Sequence, residues 1–297
     1  MCSRPDPRAA RGRAGFTVAE VMVALVISGI LVLVVFELIR GQGSYVSLQS
    51  ARQEVQQNAR GALDVISGEL RSIPPAGLIS ADSNAISFAL PRAWGVVCDG
   101  TSSTEMVALF PDLPDDMFPY GTGTGLMADV SADATRSWDP APALVGGAEV
   151  DKWDEVGDLA GSKCAALDYA GDAVRGLTLV GSGFPDPVPA GNLVFLHQLT
   201  SYDVGKSDGL WWVRRSNGLS GDDFSQQPLA GPIPDDGSLR FTYYDDTGKK
   251  IAPPGTDAAL LATVGRIGIR LTTRSRSQFG GSPQFQQDST TVHLRNR

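Results

Sequence analysis

The residue with the largest chemical consequence in this chain is Glu20, a carboxylate set inside an otherwise apolar run that begins at Phe16. An ionised carboxylate in hydrocarbon costs on the order of 2.5 to 3.5 kcal/mol at the centre of a span and less near its edge, so it calls for a cation. Cutting the chain between Gly15 and Phe16 would supply one, the new ammonium of Phe16, either four residues away on the same helix or on a neighbouring subunit. In the second arrangement a charge that is costly in the monomer is satisfied on packing, and it gives register to helices that are otherwise uniformly apolar. The simpler alternative is a signal anchor whose Glu20 snorkels to the interface; an intact Met1 terminus on the purified protein would support it.

The other groups capable of chemistry are less directed. His197 and His293 are the only histidines, each within a predicted strand, and they read as core or surface residues. No Ser-His-Asp order, zinc-ligand spacing or phosphate loop appears, and Gly121-Thr122-Gly123-Thr124-Gly125 lacks the preceding strand and following helix that a phosphate cradle needs. Asp112, Asp115 and Asp116, with Asp151, Asp154, Glu155 and Asp158, could gather around calcium, which takes several oxygen ligands, but they show no loop signature and read better as solvated charge. Trp94, Trp138, Trp153, Trp211 and Trp212 raise adhesion through exposed aromatics; the adjacent pair Trp211 and Trp212 must face opposite sides of a strand. No catalytic residue, metal ligand or cofactor is assigned, and the chain is not read as an enzyme.

The elements that position Glu20 are set by the same run. Phe16 to Ile39 spans 24 residues whose only charges are Glu20 and Glu37, and at 1.5 Å per helical residue it reaches roughly 36 Å, enough to cross a bilayer. Arg4, Arg8, Arg11 and Arg13 stand before it against the single acid Asp6, which keeps the leader inside and sends the rest of the chain out. The apolar core is longer than that of a secretory signal and no small-residue cleavage site comes after it, so a cut falls before the core and leaves the helix on the product.

Gly41-Gln42-Gly43 is expected to interrupt or bend the helix before a second, amphipathic stretch. Tyr45, Leu48, Val55, Ala59, Ala62, Leu63, Ile66, Leu70 and Ile73 form its apolar stripe, which should pack on a sheet. Pro74-Pro75 stops it, so that Phe16 to Ile73 would make a rod of roughly 85 Å. Beyond lie short β-type runs at 85–90, 105–110, 176–180, 192–199, 210–215, 239–244, 264–273 and 290–294. Turns are expected at Asp245-Asp246-Thr247-Gly248 and across Val204 to Gly209, and residues 111–171, rich in Pro, Gly and Asp, read as a long insertion.

Removal of residues 1–15 would leave 21 Lys plus Arg against 32 Asp plus Glu, a formal charge of −11; this balance argues against dedicated nucleic-acid binding. Cys2 leaves with the leader, and the remaining pair on the exported side, Cys98 and Cys164, is expected to form a disulfide, worth roughly 4 kcal/mol in the chain-entropy account.

Gly15-Phe16-Thr17-x-x-Glu20, with its basic leader and uninterrupted span, resembles the prepilin cleavage and methylation motif of the type IV filament superfamily, over roughly residues 11–73. The resemblance implies cleavage after Gly15 and methylation of Phe16 by a prepilin peptidase, with Glu20 docking on the terminal amine of an adjacent subunit. Val18 and Val21 stand where the superfamily more often has leucine. It also implies an α+β pilin-like fold, a long N-terminal helix packed on an antiparallel β-sheet head with a long loop insertion. The expected organisation is leader 1–15, membrane and assembly helix 16–40, amphipathic helix 41–73 and exported head 74–297.

The length of the head, the Gln-rich stretch from Gln49 to Asn58, and the ending around Val292-His293-Leu294-Arg295-Asn296 are similar to large PilW-type minor pilins and to J-type minor pseudopilins of type II secretion. This second resemblance implies a structural minor pilin of a type IV pilus. The alternatives are a secretion pseudopilin and an adhesive or DNA-uptake module on a pilus. Expected partners are other pilin or pseudopilin subunits, the prepilin peptidase and an inner-membrane assembly platform. The expected location is the bacterial inner membrane as a single-pass precursor, then a pilus or periplasmic pseudopilus.

Overall fold

A computed structural model of the chain describes residues 15–74, 77–102, 104–110, 126–130, 148–155, 163–166, 175–182, 190–217, 227–279 and 282–294. These fall into two compact units, Met1–Ser50 and Ala51–Arg297.

Helix α1 (Val18–Arg71) runs through both. In the first unit every described residue up to Val46 is exposed, as a helix apolar on all sides must be when nothing surrounds it. By length and composition it is long and apolar enough to cross a membrane. The expected interruption at Gly41 and Gly43 does not occur, because the helical ladder continues through both glycines and neither one's open side meets another atom within 4 Å. Two glycines cost about 1 kcal/mol each, and the helix formers on either side, Glu37 to Arg40 and Leu48 to Arg52, carry the ladder past them.

In the second unit α1 turns amphipathic. Ala51, Val55, Ala59, Ala62, Leu63, Ile66 and Leu70 are buried at spacings of three and four, the single stripe that one sheet-facing side of a helix requires. Helix α1 ends at Arg71, and Ile73 is still buried just beyond it.

The strands of this unit are β1 (Leu78–Ala81), β2 (Ile86–Ser102), β3 (Glu105–Phe110), β4 (Leu126–Val130), β5 (Ala148–Glu155), β6 (Arg175–Ser182), β7 (Leu193–Ser207), β8 (Leu210–Asn217), β9 (Gln227–Ile233), β10 (Leu239–Tyr244), β11 (Lys250–Ile251), β12 (Arg266–Phe279) and β13 (Ser282–His293). A 3-10 turn, Lys163–Ala166, and a short helix α2, Ala258–Leu261, complete the described elements. Asp257 caps α2 by accepting from the amides of Ala259 and Leu260. The fold is α+β and pilin-like, a long N-terminal helix packed on antiparallel sheet.

One sheet has nine strands in the order β1-β2-β3-β6-β5-β4-β7-β8-β9, and β2 also pairs with β7. That additional pairing, from Ile86↔Tyr202 to Val96↔Leu193, closes β2-β3-β6-β5-β4-β7 into a six-stranded ring. A bulge between Pro91 and Ala93 makes the closure possible, since the extra residue reverses which β2 side chains point inward. Before it Ile86, Phe88 and Leu90 join the core that includes the α1 stripe; after it Gly95, Val96, Val97 and Cys98 are all buried. Gly95 admits no side chain, because a Cβ there would lie 2.5 Å from the Leu109 carbonyl oxygen and 2.8 Å from the Phe110 ring.

The stretch 111–171, expected as a loop insertion, contributes β4 and β5 to this ring. Its Pro, Gly and Asp content hid two short strands that are held by their neighbours rather than by their own propensity. Most of the stretch, with Asp112, Asp115, Asp116, Trp138, Asp158 and the Gly121–Gly125 run, lies outside the described residues.

The second sheet has the order β11-β10-β12-β13. Leu239, Phe241 and Tyr243 of β10 and Ile267, Ile269 and Leu271 of β12 point inward, giving the alternation expected of a sheet wet on one face. These residues join the stripe of α1, with Phe88, Tyr202, Val213 and Ile233 of the larger sheet, in one core. The β7–β8 connection is a two-residue turn, with Asp208 at φ 52° and Gly209 at φ 76°, the left-handed pair that a tight hairpin demands.

Candidate assembly site

Thr17 begins α1 as its N-cap, and this decides where Glu20 points. Glu20 Oε2 accepts from the Thr17 backbone amide at 2.9 Å and from the Thr17 hydroxyl at 3.0 Å, while Thr17 Oγ1 accepts from the Glu20 amide at 3.3 Å. This reciprocal arrangement is a capping box, and it satisfies two donors that a helix start leaves open. Both side-chain bonds to Glu20 reach the same oxygen. Oε1 has no partner among the described residues.

Around the carboxylate the helix surface forms a shallow open groove lined by Ala19, Glu20, Val23, Ala24 and Ile27. Ala19 and Ala24 are small and stand on either side of Val23, so a ridge from another helix can approach the backbone there. Gly15 and Phe16 precede the cap, and Phe16 is 87% exposed. The peptide bond between them thus lies outside helical structure, next to the first turn.

In the second unit the C-terminal end of α1 is fastened to the sheet by charge. Arg215 of β8 donates through Nη2 to Glu69 Oε1 at 2.7 Å and through Nε to both carboxylate oxygens at 3.1 and 3.2 Å. The Tyr202 hydroxyl donates to Glu69 Oε2 as well. Burial, followed by that hydrogen bond and the Glu69 charge, holds the Tyr202 phenol far above the usual tyrosine range. Arg92, in the β2 bulge, gives its Nε to Gln198 Oε1 at 2.9 Å. Burial and the neighbouring Arg215 charge push Arg92 below the usual arginine range.

Further down the helix Asn58 Nδ2 donates to the Gly231 carbonyl at 3.2 Å and Thr273 Oγ1 to the Val55 carbonyl at 2.8 Å, pinning α1 to β9 and β12. None of these partners was assigned a role from the sequence. Thr17 and Glu20 do carry a signal there, the T-x-x-E spacing of a capping box, whereas Glu69 and Arg215 stand 146 residues apart and leave no local trace.

The remaining candidates fall elsewhere. Cys98 of β2 and Cys164 of the 3-10 turn are both buried with their Cα atoms 4.9 Å apart, inside the range a disulfide needs, and they pack with Leu109 and Val107. His197 is buried on β7 with its ring 6.3 Å from that of Phe195; His293 is exposed at the end of β13. Trp211 packs against the core and Trp212 points the other way, with Arg276 5.2 Å above its ring. Trp94 is half-exposed. Among the described residues no group of three or more His, Cys, Asp or Glu could hold a metal ion.

Residues 10–36 match a family model described as the prokaryotic N-terminal methylation motif. No curated protein and no solved structure matches the chain.

Proposed function

From a type IV prepilin-like amino terminus, we infer that this protein is a minor pilin of a type IV pilus. The motif points to a structural protein that is processed by a prepilin peptidase, assembles with other pilin-type subunits and is anchored in a membrane through its N-terminal helix. The chain enters the membrane with residues 1–15 inside and the head outside. It is cut between Gly15 and Phe16, methylated at Phe16 and drawn into a filament by its helix. There Glu20 pairs with the terminal amine of a neighbouring subunit's Phe16. Cys98 and Cys164 are joined once the head reaches the oxidising side.

The observation that carries this reading is the state of Glu20. Its Oε2 is held by Thr17, so the side chain is fixed in direction, and Oε1, without a partner among the described residues, is open to a cation. The capping box survives the cut, because the Thr17 amide and hydroxyl both remain on the product. The neighbour's ammonium therefore meets a preorganised acceptor instead of a mobile one.

Mass spectrometry of the N-terminal peptide from sheared surface filaments and from washed membranes tests the reading. Methylated Phe16 in the sheared fraction is expected. The same peptide confined to membranes would instead make this a secretion pseudopilin, and an uncut Met1 peptide in both fractions would overturn the processing step altogether.

A further inference from the structure

An open sheet edge offers a row of unpaired amides and carbonyls to any second strand, so proteins close or guard their edges. Among the described residues three of the four edges are handled simply. β1 has only four residues and is bridged at Ala81 to Gly255, with amide-to-carbonyl bonds of 2.8 and 3.0 Å in the two directions. β11 has two residues, and β9 carries Pro228 and Pro232. β13 has neither device. It runs for 12 residues, its one proline is Pro283 beside its start, and among the described strands it pairs with β12 alone.

Register decides which backbone groups of β13 meet the open side. The Leu294 amide donates to the Gly265 carbonyl at 3.1 Å and the Gln284 amide to Ser275 Oγ at 2.9 Å, so even-numbered residues turn their amides toward β12. Alternation along an antiparallel pair then turns the amides and carbonyls of Phe285, Gln287, Ser289, Thr291 and His293 to the free edge. At the centre of that edge two groups are taken by neighbouring side chains. Asp288 Oδ1 accepts from the Ser289 amide at 2.9 Å, and Gln286 Nε2 donates to the Gln287 carbonyl at 3.2 Å. Asp288 Oδ2 lies 3.6 Å from Arg60 Nε of α1, which holds the carboxylate from the helix side. The surrounding segment, Phe285-Gln286-Gln287-Asp288-Ser289-Thr290-Thr291-Val292, contains no proline and no glycine, and Asp288 is its single charge. Without that charge it has the composition of segments that stack edge to edge into cross-β sheet.

We propose that Asp288, helped by Gln286, is a gatekeeper that keeps the free edge of β13 from pairing with β13 of a second copy of this chain. An incoming strand has to break the Asp288–Ser289 and Gln286–Gln287 bonds before it can form its own. It also brings a carboxylate into the new ladder, and in an in-register pair of identical strands two Asp288 side chains would meet at a strand spacing of about 4.8 Å. A charge inside an otherwise β-prone segment is a general guard against such association. Arg60 does not cap the edge; it only steadies the group that does.

The test follows association of the full-length protein in neutral detergent by sedimentation, together with hydrogen exchange at the amides of Gln287 and Thr291, over a concentration series. In the wild type both amides should exchange freely at every concentration. Asp288→Thr should associate at about tenfold lower concentration, because one charge-assisted bond no longer opposes pairing, and the two amides should become protected as it does so. Arg60→Ala, which loses the ion pair but keeps the cap on Ser289, should behave as the wild type does. Asp288→Thr/Thr291→Lys, which returns a charge to the edge, should reverse the association. Contacts through the apolar part of α1 would leave the β13 amides open, so the two routes of association are distinguished. The proposal is overturned if Asp288→Thr associates no more than the wild type, if it associates with Gln287 and Thr291 still exchanging freely, or if Arg60→Ala associates as strongly. It is equally overturned if these amides are already protected in the dilute wild type. The outcome is separate from the filament reading, which the N-terminal peptide decides.

Discussion

Replacing Glu69 by alanine tests whether the end of α1 is held to the head by its buried charge. The carboxylate accepts from Arg215 Nη2 at 2.7 Å, from Arg215 Nε and from the Tyr202 hydroxyl. Its side chain and that of Arg215 are only 19% and 17% exposed. Removing one partner of a buried pair leaves the other charge desolvated, at about 3 to 5 kcal/mol. Partial access of water puts this site at the lower end, about 3 kcal/mol. The loss is reinforced by Arg92, which would then face Arg215 with no anion between them.

For a unit of this size about 2 to 4 °C of melting temperature accompanies each kcal/mol, so Glu69→Ala should melt about 6 to 12 °C lower. The assay is a thermal melt of the full-length protein in detergent followed by circular dichroism. Arg60→Ala serves as the reference: Arg60 sits 3.6 Å from Asp288 on an exposed surface and should cost no more than about 1 kcal/mol, a midpoint shift of at most about 2 to 4 °C. The double variant Glu69→Ala/Arg215→Met should recover part of the loss, because it removes the orphaned charge as well. If Glu69→Ala melts as Arg60→Ala does, or if the double variant is worse than the sum of its single changes, the account of this contact is wrong.

Other outcomes are expected from the same structure. Gly95→Val should destabilise by about 1 to 3 kcal/mol in a denaturant titration, since its side chain would meet the Phe110 ring and the Leu109 carbonyl. Gly61→Ala on the exposed side of α1, with nothing within 4 Å, should instead stabilise by about 1 kcal/mol. Tyr202 and Tyr243 both hold their protons more tightly when folded, in each case through burial first and then a neighbouring carboxylate, so stability is intact below pH 10. Above it, it should fall by about 2.7 kcal/mol per pH unit as the unfolded phenols ionise and the folded ones do not, which a series of melts at alkaline pH would register. Thr17→Val removes the cap on Glu20, and pilus fractions should contain less of it than of Thr17→Ser, which keeps the hydroxyl; equal incorporation would detach the capping box from assembly.

Much of the helix was readable because its signals are local. The stripe from Val55 to Ile73 is buried as its three-and-four spacing implied, while Tyr45, counted in the same stripe, is 60% exposed because it precedes the sheet. Strands β3 and β10 fall where alternation of apolar residues placed them. β9 was invisible since Pro228 and Pro232 break its pattern, and of β13 only the end at 290–294 was expected, since an edge strand of Gln, Ser and Thr has little apolar rhythm. The length of β2 was hidden by Pro91 and Gly95, residues that mark a bulge and a close contact here and not a strand end. Ring closure left no mark at all: β2 meets β7 about a hundred residues away, and only the three-dimensional pairing reveals it. At Glu20 the charge was legible, whereas its local partner Thr17 is marked only by the T-x-x-E spacing, a short pattern at the edge of a long apolar run.

Closure of the ring by β2 and β7 governs when the head can form. Loop closure must precede the reward of contact, and here the closing strands are separated by the whole of β3 to β6, while Thr273 reaches back 218 residues to Val55. A chain threaded amino end first would thus have its span seated long before its last strands emerge. Until then the stripe on α1 faces solvent, a window in which a nascent subunit is exposed to aggregation and proteolysis. The pace of translocation, and not only the stability of the finished head, then sets the yield of competent subunits.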